Sequence, residues 1–198
     1  MKVLCATTNS GKLREFRKAA EDWFELESLP ELDAISPPEE TGSTFEENAI
    51  LKARYYGDLT PEMLFAEDSG LEVDALGGAP GVCSARYSGP GATDASNNDK
   101  LLRDLEGVVD RRARYVCVIA LVRAGELLST FRGTVEGTIA VRPSGSQGFG
   151  YDPLFWYAPF GCTFAEVTAE RKQTVSHRGH AVAELVRYMS SRSSTPRR

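Results

Sequence analysis

The chain has 198 residues, 41% hydrophobic and 26% charged, with a formal net charge of -5 at pH 7. This is enough apolar material for one core of ordinary size, and the acidic balance excludes a general nucleic-acid binder, whose footprint is a basic face. No apolar run approaches the roughly 18 residues of a membrane helix. That argues against a membrane protein.

Cys5, Cys83, Cys117 and Cys162 are scattered, with no Cys-x-x-Cys pair and no disulfide framework. The N-terminus opens directly on a strand pattern without a secretory h-region. Both features predict a cytoplasmic protein with reduced, buried thiols. Val3-Leu4-Cys5-Ala6 is the continuous apolar run of a buried strand. Asn9-Ser10 then caps a helix in which Leu13, Phe16, Ala20 and Trp23 recur at helical spacing. Residues 28–42, rich in Pro, Glu and Asp, predict a long loop around a short strand. Ser43 and Glu46 have the spacing of a capping box, and the helix they start is predicted to stop at Gly57.

Residues 63–66 predict another buried strand, ended by an acidic turn, Glu67-Asp68-Ser69-Gly70, and 71–76 alternate as a half-exposed strand does. Gly77-Gly78-Ala79-Pro80-Gly81 and Gly89-Pro90-Gly91 break the chain. A helix follows over 94–105, with Leu101, Leu102 and Leu105 inward. Three strand-like runs, 113–123, 127–133 and 134–141, have short Gly-containing connections such as Ala124-Gly125-Glu126 and predict antiparallel hairpins. The last helix is predicted from Ser176, burying Ala181, Leu185 and Met189, and 190–198 are Ser, Arg and Pro with nothing to bury, a disordered tail. No repeat or linker interrupts residues 1–189, which predict a single α/β domain with a mixed sheet flanked by helices.

Four segments carry chemistry. Thr7-Thr8-Asn9-Ser10-Gly11-Lys12 lies between a strand and a helix N-terminus, where free N–H groups and the helix dipole suit a phosphate. It is not a Walker loop, and by itself it is equally an ordinary capped turn with a solvated Lys12. Glu39-Glu40 and Glu67-Asp68 are two acidic pairs, and one carboxylate from each suits a hard cation such as Mg²⁺. Asn48 and Lys52, four apart on the capped helix, share a face. From there Lys52 reaches a carboxylate or a phosphate, or stays on the surface. In Phe149-Gly150-Tyr151-Asp152-Pro153, one of two rings flanking a glycine is placed to stack on a base, or the two are a core pair at a turn. Lys172 precedes Ser176-His177-Arg178, where cations in the first turn of a helix oppose its dipole and call for an acceptor. His177 and His180 have no further metal ligands nearby in sequence, which argues against zinc.

Taken in order, these segments resemble the inosine triphosphate pyrophosphatase family. The matching stretches are Ala6 to Lys12, Glu39-Glu40-Thr41-Gly42 through Lys52-Ala53, Asp68-Ser69-Gly70-Leu71, the run from Leu76 to Gly89, then Gly148 to Pro153 and Lys172 to Arg178. Glu67 departs from the pattern, since many relatives carry Asp there, but a carboxylate is kept.

The resemblance implies an elongated mixed sheet with two lobes and an active-site cleft, a homodimer, and Mg²⁺-dependent cleavage of ITP, dITP and XTP to the monophosphate and pyrophosphate. It implies that Thr7, Thr8, Asn9, Ser10, Gly11 and Lys12 hold phosphates. Glu40 or Glu39, with Asp68, would bind the metal. Asp68, helped by Lys52, would activate the water, and Ser69 would touch substrate. Phe149, Gly150, Tyr151, Asp152, Lys172, His177 and Arg178 would surround the base. Two other readings compete. A sensor that binds a nucleotide without hydrolysing it needs no Asp68, Glu40 and Lys52 together. A pure interaction domain leaves the polar segments unexplained.

Overall fold

The computed structural model describes residues 2–193. Seven strands form one mixed sheet in the order β2-β1-β3-β4-β5-β6-β7. They are β1 (Lys2–Cys5), β2 (Glu25–Ser28), β3 (Met63–Val73), β4 (Arg112–Arg123), β5 (Glu126–Ile139), β6 (Phe155–Tyr157) and β7 (Cys162–Thr163). The helices are α1 (Ser10–Ala20), α2 (Phe45–Gly57), α3 (Asp94–Asp104), α4 (Ala169–Gln173) and α5 (His177–Ser193). Pairing is parallel where β1 meets β2 and β3, and antiparallel from β5 to β6 and from β6 to β7. The mixed α/β architecture is therefore as expected. Among the described residues, no helix is long and apolar enough to cross a membrane.

The chain divides into two compact units, each assembled from separated stretches, so no linker marks the division. One unit comprises the chain up to Asp68, Cys117–Gly133 and the chain from His177 onward. Its core joins Val3 and Cys5 of β1, Phe16 and Ala20 of α1, Phe65 of β3, Ile119 and Leu121 of β4, and Ala181 and Leu185 of α5. Phe16 meets Phe65 edge-on at 5.3 Å between ring centroids, a favoured aromatic geometry. The other unit, Ser69–Val116 and Thr134–Ser176, is built around Leu101 of α3 and Leu105 just after it, Tyr115 of β4, Phe155 of β6 and Phe164.

Several local expectations need correction. The acidic turn is not a turn: Glu67-Asp68-Ser69-Gly70 lies inside the eleven-residue β3, whose carboxylates are compensated by lysines rather than by water. Nor is there a break at Gly133, because β5 runs unbroken over 14 residues. That glycine serves close packing instead. A Cβ there would clash with the His177 carbonyl oxygen and the Ala181 nitrogen of α5, both backbone atoms.

The capping box sits one residue later than expected. The Thr44 hydroxyl accepts from Glu47 N at 3.1 Å, and Glu47 Oε2 accepts from the backbone N of Thr44 and of Ser43. The short strand placed in the 28–42 loop is β2, which ends at Ser28, and the loop itself holds a 3-10 turn over Leu32–Ala34. Trp23 lies beyond α1 and is 62% exposed. α4 had no sequence signal. α5 continues to Ser193, so residues 190–193 are helical and not the expected tail, and the rest of that expectation, 194–198, lies outside the described residues.

Candidate active site

The loop between β1 and α1 is shaped by its own side chains. Asn9 has an extended backbone and its Oδ1 accepts from Lys12 N at 3.0 Å, which caps α1, while Asn9 N donates to the Thr7 hydroxyl at 3.3 Å. Beside it is a cavity of about 490 Å³ lined by Thr7, Thr8, Asn9 and Lys12, by Glu40, Lys52 and Glu67, and by an apolar wall that includes Ile35, Pro37 and Tyr56.

Two lysines bind three carboxylates here. Lys12 Nζ donates to Glu67 Oε1 at 2.7 Å. Lys52 Nζ donates to Glu40 Oε1 at 2.7 Å and to Asp68 Oδ1 at 3.0 Å, and Asn48 Nδ2 donates to Asp68 Oδ2 at 3.3 Å. Asn48 and Lys52 project together because α2 is started in register by the Thr44–Glu47 box. Of the two acidic residues before α2, the structure brings in Glu40; Glu39 is exposed and does not line the cavity.

The adjacent carboxyls of β3 are driven in opposite directions. Burial alone would raise Glu67, but the positive charges of Lys12, Lys52 and Arg178 hold it down at about 2. Asp68 is raised, by burial first and by the Glu67 and Glu40 charges as well, against the pull of Lys52. Burial opposes the charge on Lys52, but Glu67, Asp68 and Glu40 outweigh it and raise its pKa. One carboxyl is thus a permanent anion beside another that takes up a proton more readily than usual, a division found where acid–base chemistry is done.

The donors around Lys52 are oxygens alone, suited to a hard cation. Glu67 Oε2 is buried without a hydrogen-bond partner. Among the described residues, no three His, Cys, Asp or Glu side chains form a ready-made metal cage. A magnesium ion would fit here in its usual manner, on one or two carboxylates completed by phosphate oxygens.

A second group gathers at the turn over 148–153. Asp152 is 1% exposed and its Oδ2 accepts from Phe149 N at 3.0 Å and from Lys172 Nζ at 2.6 Å. Tyr115 Oη donates to Asp152 Oδ1 at 3.2 Å. Lys172 Nζ lies 5.0 Å from the centre of the Phe149 ring. Tyr151 is buried and donates from Oη to the Ser84 carbonyl.

The structure therefore brings Phe149, Asp152 and Lys172 together. His177 and Arg178 open α5, both buried, and Arg178 NH1 donates to Glu15 Oε2 of α1 at 2.7 Å. Ser10 and Gly11 begin α1, and Ser69 follows Asp68 in β3. Sequence reasoning missed Tyr115, which holds Asp152, and Glu15, which holds Arg178. A tyrosine in an apolar strand and a glutamate on a helix give no signal until their partners are known.

A mixed-sheet α/β protein with an anion-type loop after its first strand, next to carboxylates bridged by lysines, is the class defined by this fold and site. The chain belongs to the Ham1 family, whose model matches residues 3–188. It is 48% identical over 184 residues to the dITP/XTP pyrophosphatase of Desulfotalea psychrophila, covering 92% of this chain and 82% of that one. It is 50% identical to the dITP/XTP pyrophosphatase of Syntrophobacter fumaroxidans, with 93% and 80% covered. Among solved structures, the Staphylococcus aureus Ham1 protein matches with a TM-score of 0.87 at 40% identity, over 97% of this chain and all (100%) of that chain. The nucleoside-triphosphatase, or dITP/XTP pyrophosphatase, of Mycobacterium abscessus matches with a TM-score of 0.74 at 43% identity, with 93% and 98% covered.

Proposed function

We propose that this chain is a nucleoside triphosphate pyrophosphatase that hydrolyses the non-canonical purine nucleotides ITP, dITP and XTP to the monophosphate and pyrophosphate, clearing them from the nucleotide pool. The observation that carries this reading is the cavity beside the β1–α1 loop in which Lys12 meets Glu67, and Lys52 joins Glu40 to Asp68. The family membership and the relatives' activity support it.

In this reading the N–H groups at the start of α1, the Thr7 and Thr8 hydroxyls and Lys12 hold the phosphates. Asp68 accepts the proton of the attacking water, with Asn48 and Lys52 fixing its two oxygens in place. Attack at the α phosphorus breaks the α–β anhydride bond and pyrophosphate leaves. Glu40 and Asp68 would hold a magnesium ion together with the phosphates, and such an ion would supply positive charge against the charge developing on the phosphoryl oxygens. Glu67 stays ionised and holds Lys12 in place.

On the family resemblance, Phe149 provides the stacking ring for the base, Lys172 lies against that ring and is held by Asp152, and His177 and Arg178 provide donors. Hypoxanthine and xanthine carry an oxygen at C6 where adenine carries an amino group. A donor left buried and unpaired against adenine costs about 1–3 kcal/mol, which is roughly tenfold to a hundredfold discrimination. The scattered cysteines support a cytoplasmic location, and the family resemblance supports a homodimer.

Incubating the purified protein with ITP and Mg²⁺ tests the assignment. IMP and pyrophosphate are the expected products. IDP and orthophosphate would overturn the bond assignment, and binding without turnover would instead support a sensor.

A further inference from the structure

The turn that carries Phe149 is unusually dependent on ties from outside. Gly148 and Gly150, which flank the ring, both have positive φ, 76° and 63°. Glycine visits both signs of φ at little cost, so an isolated segment of this kind has no fixed direction for the side chain between its glycines. The backbone N–H and C=O of both Phe149 and Gly150 are nevertheless bonded. Phe149 N donates to Asp152 Oδ2, and Phe149 O accepts from Asp152 N at 3.3 Å. The remaining two bonds come from α3. Gly150 N donates to Asp94 Oδ2 at 2.7 Å, and Asn98 Nδ2 donates to Gly150 O at 2.9 Å.

Asp94 and Asn98 are four residues apart and therefore lie on one face of α3. One offers an acceptor and the other a donor, and together they hold both polar groups of a single residue. Asn98 does so at a cost. It is 8% exposed, and its Oδ1 is buried with no hydrogen-bond partner. A leucine would fill similar space without an orphaned oxygen, so what the asparagine adds at this position is its N–H donor to Gly150.

We propose that Asp94 and Asn98 are positioning residues for purine binding: by clamping Gly150 from α3 they fix the Phe149 ring in the orientation that stacks on the base. The clamp acts on the binding of the base and leaves the water-activating carboxylates untouched. This inference rests on the reading that the Phe149 turn receives the purine.

Four variants test it: Asp94→Ala, Asp94→Asn, Asn98→Leu and, as a control, Phe149→Ala. Steady-state hydrolysis of ITP and thermal melting are measured for each. Each lost bond, at the usual net worth of a hydrogen bond, should raise KM for ITP about three- to tenfold, with kcat and melting temperature close to those of the parent. Asp94→Asn keeps an acceptor oxygen for Gly150 N and should restore KM. Asp94 is exposed at the start of α3, so its alanine variant keeps the test open even if Asn98→Leu does not fold. If Phe149→Ala raises KM while Asp94→Ala leaves it unchanged, the clamp is refuted and the base site stands. If Phe149→Ala leaves KM unchanged, the base assignment fails first. Equal falls in kcat and melting temperature, not reversed by Asp94→Asn, would make the clamp a structural tie only.

Discussion

At the scale of single residues, the proposed chemistry turns on Asp68. Asp68→Asn keeps the shape and the Asn48 contact but removes the proton acceptor and one anionic ligand. We expect kcat on ITP to fall by about 10²–10⁴-fold at saturating Mg²⁺, with nucleotide still bound through Lys12 and the base turn. A variant that keeps more than about a tenth of the parent kcat would rule out this role.

Arg178 poses a different question, because its guanidinium is buried and held by Glu15. If it reads the purine carbonyl, Arg178→Ala should lower kcat/KM for ITP by about 1.5–3 kcal/mol. The loss for ATP should be smaller, so the preference between the two should shrink. Equal losses on both substrates would mean that the Arg178–Glu15 pair serves α1 and its phosphate loop instead.

Glu67 gives a pH dependence. Its pKa is depressed in the fold, to about 2. The stability it contributes is therefore complete above the ordinary glutamate range, near pH 4.3, and is lost as pH falls toward about 2. The effect is on the order of 3 kcal/mol. Urea unfolding of the parent and of Glu67→Gln from pH 6 down into the acid range should show a steeper acid decline in the parent than in the variant.

At the scale of elements, two contacts decide whether side chains arrive where they are needed. Thr44 caps α2, and α2 delivers Asn48 and Lys52 to Asp68. Thr44→Ala should cost about 1 kcal/mol of stability and raise the activity loss on mild heating; chemical denaturation measures the first. Gly133 lets α5 lie directly against β5, and the atoms a Cβ would strike are backbone. Gly133→Ala should therefore destabilise by about 1–3 kcal/mol, with nothing flexible to relax. An unchanged melting temperature would show that α5 yields more readily than the geometry implies.

At the scale of the whole molecule, the proposed reaction draws its phosphate ligands from the first strand–helix junction and its base ligands from the last third of the chain. The proposed homodimer is checked by light scattering across a dilution series, where a mass of twice the chain is expected. A mass of one chain at all concentrations, with full activity, would remove it from the mechanism.

The sequence by itself determined the elements with strong local signals: the Asn9 cap, the helix to Gly57, the α3 leucines and the α5 core face. It also determined the order of motifs that identified the chemistry, because such motifs are local and their residue types are few. Only the tertiary structure decided the fate of the polar residues. Glu67-Asp68 reads as a turn because paired carboxylates belong in water, yet the pair lies inside a buried strand, where Lys12 and Lys52 arrive from two different helices to compensate it. Gly133 reads as a break, and only the presence of α5 shows it to be a close approach. The choice of Glu40 over Glu39, the Arg178–Glu15 pair and the hold of Asp94 and Asn98 on Gly150 were not legible either. Each depends on a partner between 12 and 163 residues away, and a local pattern carries no information about which distant group will meet it.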